Sequence, residues 1–255
     1  MGNKLIVRAD DCGISKGVNF GIYTAVKDGF IQAVGIMVNQ KDTQHGYELI
    51  KEFQHLSIGL HCNIVLGKPL CKAELVESLL DGKGYFKSSK YYRATKEDCI
   101  VYEEVCLEIQ EQINEFKKLT GKLPDYVDYH AACTPTFAKA IKDVCQKNHF
   151  LYIPFPSGKV AGEEVHYCEL SSKDEFGVNP VEFYERNKDV ILNHDIAIAV
   201  FHPGYVDARI MEVSSLSLQR AIDLTFVTSK ACSLWLQEHG VELTNFDIYS
   251  ELFDR

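Results

Sequence analysis

Residues 4–26 read KLIVRADDCGISKGVNFGIYTAV, and this stretch decides the fold. Lys4 to Ala9 has the composition of a buried strand, and it stops at Asp10-Asp11-Cys12-Gly13. Ser15 then stands where a helix N-cap belongs, and Val18, Ile22, Ala25 and Val26 follow at helical spacing. Working outward, Ile31 to Val38 is a second apolar strand, a helix is expected around Thr43–Phe53, and Leu56 to Asn63 is a third strand. The order β-α-β-α-β builds a parallel sheet with helices outside it.

The rest of the chain continues the alternation after a polar excursion, Val65 to Thr95, that carries Gly67, Pro69, Gly82 and Gly84. Val101, Val105, Ile109, Ile113 and Phe116 then form one apolar stripe, which predicts a long outer helix. Tyr126 to His130 reads as a strand, and Thr134 caps a helix to about Lys147. Phe150 to Ile153 reads as a short strand, and irregular chain with Pro154 and Pro156 runs on to Leu170. A helix near Pro180–Leu192 precedes a strand from Ile196 to His202. One long helix is expected over Ser214–His239, with Val241 to Leu243 closing the sheet. No repeat, low-complexity segment or linker divides the chain, so residues 1–255 read as one α/β domain, a (β/α) barrel or irregular TIM-like barrel by length and pattern.

Composition narrows the function. Lys and Arg number 27 against 36 Asp and Glu, a formal net charge of −9. Such a surface repels nucleic acid and anionic membranes. No apolar run approaches the roughly 20 residues that cross a bilayer, and the start has no secretory pattern. Met1-Gly2 lacks the Ser or Thr that myristoylation needs, because Ile6 stands there. The nine cysteines are irregularly spaced without a CxxC pair, so free thiols and a cytoplasmic address are expected.

The chemistry gathers where strands end, as parallel α/β folds lead one to expect. Asp10 and Asp11 end the first strand, and His61 lies near the end of the third. Asp128 and His130 end the Tyr126–His130 strand, and His202 ends the Ile196–His202 strand just before Pro203-Gly204. One Asp and two His from three strand ends make a workable ligand set for a divalent metal. Taken singly, each has an ordinary reading: a turn or cap for Asp10-Asp11, a hydrogen-bonded core residue for His61, loop chemistry for His130 and His202. Cys12 and Cys62 neighbour these positions but alternate toward the helices. Cys133, just before the Thr134 cap, is the one candidate thiol nucleophile.

Several blocks resemble the YdjC-like carbohydrate deacetylases. VRADDCGISKGVNFGI resembles their opening, and SIGLHCNIVLGKPL their Gly-Leu-His and Gly-x-Pro-Leu block. LPDYVDYHAACTP falls where the family has Pro and then Asp-Ser-His. VFHPGYVD resembles the late His-Pro block, and QRAIDLTFVTS the Arg-containing helix after it. The blocks keep family order across nearly the whole chain. The resemblance implies a barrel-like fold related to polysaccharide deacetylases and hydrolysis of the acetyl group of N-acetylated sugars or short oligosaccharides. It implies a divalent metal, magnesium or zinc, on Asp11, His61 and His130, with Asp10 as general base and His202 as general acid. Asp207 is a distant candidate to orient His202. The chain departs from the family pattern at Arg8 and Cys12, and at Ala131-Ala132-Cys133, where the family carries further histidines. The expected partner is a small acetylated sugar, with self-association left open.

Overall fold

The computed structural model describes residues 3–95, 97–131, 134–160 and 162–249. Strand β1 (Lys4–Cys12) is followed by α1 (Lys16–Lys27), β2 (Ala33–Ile36), α2 (Thr43–Ile50) and β3 (Ser57–Cys62). Ser15 caps α1 as expected, its hydroxyl accepting from the Val18 amide. The polar excursion holds two 3₁₀ turns and the short helix α3 (Ser89–Ala94), and leads into α4 (Tyr102–Thr120). Then come β4 (Val127–Tyr129), α5 (Pro135–Lys147) and three two-residue strands, β5 (Lys159–Val160), β6 (Glu163–Glu164) and β7 (His166–Tyr167). Helices α6 (Pro180–Arg186) and α7 (Lys188–Leu192) precede β8 (Ile196–Phe201). Helices α8 (Ala208–Val213), α9 (Leu218–Thr228) and α10 (Lys230–Glu238) lead to β9 (Glu242–Leu243).

The main sheet runs β4-β3-β2-β1-β8-β7, with β9 added beside β1, and its pairings are parallel. Side chains alternate across it. On β1, Leu5, Val7 and Ala9 enter the core shared with the helices, whereas Ile6 joins a second, inner cluster with Ala33, Tyr126, Ile198, Val200, Phe246 and Tyr249. That inner cluster joins β4 at one end of the sheet to β8 near the other, so the sheet curls around it into a barrel left open between β4 and β7. Gly59 makes this filling feasible: a Cβ there would sit 2.3 Å from the Tyr126 ring.

Four expectations differ: the stretch up to Leu170, read as irregular, carries β5, β6 and β7, and β7 gains a place in the main sheet by pairing with β8. Ser214–His239 is not one helix: Ser229 is extended (φ −69°, ψ 122°) and caps α10 through the Cys232 amide, a local bond that competes with helix continuation. Asn187 likewise divides α6 from α7, its amide donating to Phe183 O and accepting from the Glu169 N–H. The Phe150–Ile153 strand survives only as a bridge from Tyr152 to Val127. Among the described residues no helix is long and apolar enough to cross a membrane, and the eight described cysteines are free.

Candidate active site

The carboxyl ends of β1, β3, β4 and β8 meet at one point. The same alternation that turns Ile6 inward turns Arg8 and Asp10 inward, and strict alternation would turn Asp11 away. A bulge prevents this: the β1–β2 register slips between Ala9 and Cys12, and Asp11 takes φ 70°. Aspartate tolerates that left-handed conformation better than most residues, though it is strained by roughly 1–3 kcal/mol. Both carboxylates thus reach the site.

Asp11 is the hub. Its Oδ1 lies 2.7 Å from His130 Nδ1 and 3.4 Å from His61 Nε2, and its Oδ2 accepts from Arg220 Nη2 at 2.6 Å. The two imidazoles stand edge to face, centroids 5.4 Å apart. The other nitrogen of His61, Nδ1, bonds Asp128 Oδ1 at 2.8 Å, which orients the ring and leaves Nε2 facing Asp11. A ring nitrogen tied to a carboxylate while the other faces a converging donor set is the usual outer support of a metal-ligating histidine. Asp11, His61 and His130 therefore fit a divalent cation. A second grouping, Asp10, His61 and Asp128, also has suitable spacing. It already holds a cation: the Arg8 guanidinium lies 2.8 Å and 2.9 Å from the two oxygens of Asp10 and 2.9 Å from Asp128 Oδ2.

These charges sit in a dry place; Arg8, Asp11 and Asp128 are each no more than 2% exposed. Burial pushes the Asp11 carboxyl up, but the charges of His130 and Arg220 outweigh it and hold Asp11 well below the usual carboxylate range. Burial also favours neutral His61, yet Asp128 and Asp10 more than offset it, so that its pKa lies well above 6.5. Asp128 is depressed by Arg8 and His61 against its own desolvation.

His202 follows β8 directly and lines the same cavity as Asp10 and His61. Its backbone N–H donates to Asp223 Oδ2 at 2.6 Å, and its Nδ1 is 3.9 Å from the same oxygen. Asp223 is held in turn by the Ser171 hydroxyl and by Gln219 Nε2 at 2.9 Å. Asp207, the sequence candidate for orienting His202, does something else: it caps α8 through the Ile210 amide and accepts from the Gly17 N–H. Burial lowers the His202 pKa, with Arg220 adding to the effect, despite Asp11, Asp10 and Asp223. The turn after His202 packs tightly on α1, where a Cβ on Gly21 would lie 2.3 Å from Gly204 Cα.

All five residues singled out from the sequence, Asp10, Asp11, His61, His130 and His202, thus border one site. Arg8, Arg220 and Asp223 were not assigned roles there, and Asp128 was noted only as a strand end. Arg8 and Asp128 were signalled by position, each two residues before an inward-facing site residue. Cys12 and Cys62 lie under the helices, Cys62 by alternation and Cys12 because the bulge at Asp11 reverses it; burial lifts the Cys12 thiol to about 12 and Cys62 well above its ordinary value. Cys133 lies outside the described residues.

Two cavities flank the site. A smaller one, about 150 Å³, is lined by Asp10, His61 and His202 together with Tyr129, Phe155 and Val200. A wider one, about 470 Å³, reaches from Asp11, His130 and Arg220 to Ser88, Arg93 and Ser214.

Comparison with known proteins gives the family and the fold. The family model described as YdjC-like protein matches residues 4–238. The chain belongs to the YdjC-like family. This YdjC-like chain is 30% identical over 255 residues to the carbohydrate deacetylase of Clostridium beijerinckii, covering 95% of this chain and 98% of that one. A crystal structure from Enterococcus faecalis, described as a cellobiose-phosphate cleavage protein, superposes with TM-score 0.82 at 21% identity, over 97% of this chain and 99% of the other. The Bc1960 peptidoglycan N-acetylglucosamine deacetylase shares the fold, with TM-score 0.53 at 10% identity over 96% and 86% of the two chains. The barrel is thus the deacetylase-type (β/α) fold that the sequence led us to expect.

Proposed function

We propose that this YdjC-like domain removes the acetyl group from N-acetylated sugars or short oligosaccharides by metal-assisted amide hydrolysis. The observation that carries this is one donor cluster, Asp11, His61 and His130, beside a cavity whose wall brings His61 together with a carboxylate, Asp10, and an imidazole, His202. The carbohydrate deacetylase name of the Clostridium relative supports the substrate class. Two imidazoles and one carboxylate suit zinc and its transition-metal neighbours better than magnesium, which prefers all-oxygen sites.

Asp11, His61 and His130 would hold a divalent ion, whose chemistry there would be to make a water nucleophilic at neutral pH and to polarise the acyl oxygen. Asp10 accepts the proton of the attacking water, and the Arg8 fork fixes both its oxygens so that the carboxylate cannot rotate away. His202, kept neutral at rest by burial, takes up the proton that Asp10 removes from the water and delivers it to the departing amine, which leaves poorly without one, and Asp223 fixes the start of the loop that carries His202. Arg220 occupies the outer oxygen of Asp11 and leaves Oδ1 directed at the two histidines.

The test is acetate release from the N-acetylglucosamine disaccharide by wild type and by Asp10→Asn, each with its metal content measured. Release by wild type and its collapse in a variant that keeps the metal supports the proposal. Bound metal without release points to hydrolysis of another amide or ester on the same scaffold. Absence of both points to a silent sugar-binding homologue.

A further inference from the structure

The two cavities beside the site share His202, Ala131 and Leu170 in their walls, so the reacting bond lies at their seam. They differ in chemistry. The wide one offers Ser88, Arg93 and Ser214, groups suited to sugar hydroxyls. The narrow one is walled by Tyr129, Phe155 and Val200, with Leu170 at its mouth. Tyr129 spends its hydroxyl on the Phe155 carbonyl and turns a ring to the cavity, and Val200 belongs to the inner barrel core. Arg8, Asp10, His61 and His202 line the reacting side of this cavity, and its volume of about 150 Å³ is roughly that of a cavity that holds a benzene ring, about six heavy atoms. A hexosamine has about twelve, so the sugar belongs in the wide cavity and the acyl group in the narrow one. An acetyl group places one methyl beyond the carbonyl and leaves most of that space empty. Ala131 adds only a methyl at the seam and does not close it.

We infer that this enzyme is a deacylase of wider range than acetyl, taking N-propionyl and N-butyryl amino sugars into the cavity walled by Tyr129, Phe155, Leu170 and Val200. This rests on the amide-hydrolase reading above. The reaction is the same for every acyl group. Water oxygen bonds to the acyl carbon, the carbon–nitrogen bond breaks, one water proton passes to Asp10 and on through His202 to the nitrogen, and the second water proton leaves the new carboxylic acid for the amine. The products are the carboxylate and the ammonium sugar, with no other reactant. A pocket shaped for one methyl would discriminate against each added methylene by about 10–200-fold; this one should not.

The experiment measures free-amine formation from N-acetyl, N-propionyl and N-butyryl forms of one disaccharide. The expected kcat/KM for propionyl lies within about tenfold of acetyl, with butyryl turnover readily measured. Leu170, 46% exposed at the mouth, tolerates exchange. Leu170→Trp should lower the butyryl-to-acetyl ratio by at least about tenfold, and Leu170→Ala should raise it. Acetyl turnover with propionyl more than about a hundredfold slower overturns the inference and leaves the deacetylase reading standing. Ratios unmoved by both Leu170 variants overturn the pocket assignment. No amine from any substrate overturns the deacetylase reading and this inference together.

Discussion

Asp128→Asn separates support of the metal site from simple packing. Asp128 is buried and serves two partners, His61 Nδ1 at 2.8 Å through Oδ1 and Arg8 Nη2 at 2.9 Å through Oδ2. Asparagine has the same shape but only one oxygen. If that oxygen keeps the His61 bond, the amide NH₂ faces the Arg8 donor; if it turns to Arg8, His61 loses its acceptor. Breaking a buried pair costs about 3–5 kcal/mol when the remaining charge is orphaned. Arg8 still keeps both oxygens of Asp10. The loss is therefore closer to one charge-assisted hydrogen bond, about 2–3 kcal/mol. For a chain of this size that lowers Tm by roughly 4–12 °C. Removing the outer partner of a metal-ligating histidine weakens metal binding by about 10–100-fold. The assay pairs a thermal melt of the metal-free protein with competition against a chelating dye. A lower Tm with affinity unchanged within about twofold would show that Asp128 merely packs against Arg8 and does not orient a ligand. An unchanged Tm would refute the buried triad itself.

Other perturbations have equally definite expectations. His202→Ala should reduce amide turnover by about 10²–10⁴-fold with metal content intact, and should spare activated acetate esters, whose leaving group needs no proton; equal loss on both removes the acid role. Asp223→Asn should disturb the His202 loop and lower kcat more than it raises KM, measured by steady-state kinetics on the disaccharide. In the metal-free protein His61 is protonated until well above pH 6.5, and a cation at Nε2 must displace that proton. Affinity should therefore climb by about tenfold per pH unit from pH 6 upward, read by the same dye competition. The raised pKa also contributes stability to the metal-free protein that is complete below 6.5 and lost as pH rises through the folded value, so its Tm should fall at alkaline pH. Ser15→Ala removes the cap of α1 and should cost about 1 kcal/mol, seen as a Tm lower by roughly 2–4 °C.

What could be read from residues alone follows from which signals are local. That Asp10, Asp11, His61, His130 and His202 would gather was legible because parallel sheets put strand ends together, and the family resemblance singled out Asp11, His61 and His130 among them. Period-two alternation also settled Cys62, whereas Cys12 faces the helices only because of the bulge. The bulge at Asp10-Asp11 needed a register, and a register needs the partner strand. Arg8 and Asp128 sit on β1 and β4, separated by β2 and β3, and meet only because the sheet curls around Tyr126. Nothing in either strand announces that closure. Asp207 looked like the partner of His202 because it is near in sequence, whereas the true neighbour, Asp223, arrives on the next long helix. The breaks at Asn187 and Ser229 were invisible for a related reason: the apolar stripe continues through both, and one side-chain hydrogen bond decides each.

The central claim is that Asp11, His61 and His130 hold one divalent ion on which deacetylation depends. Its most direct test is a zinc titration of chelator-stripped protein, with acetate release from the N-acetylglucosamine disaccharide recorded at each addition. The account predicts no release at the start, a linear rise, and a plateau at one equivalent of zinc per chain. Full activity in the stripped protein with chelator present, or a rise that continues past two equivalents, would contradict it.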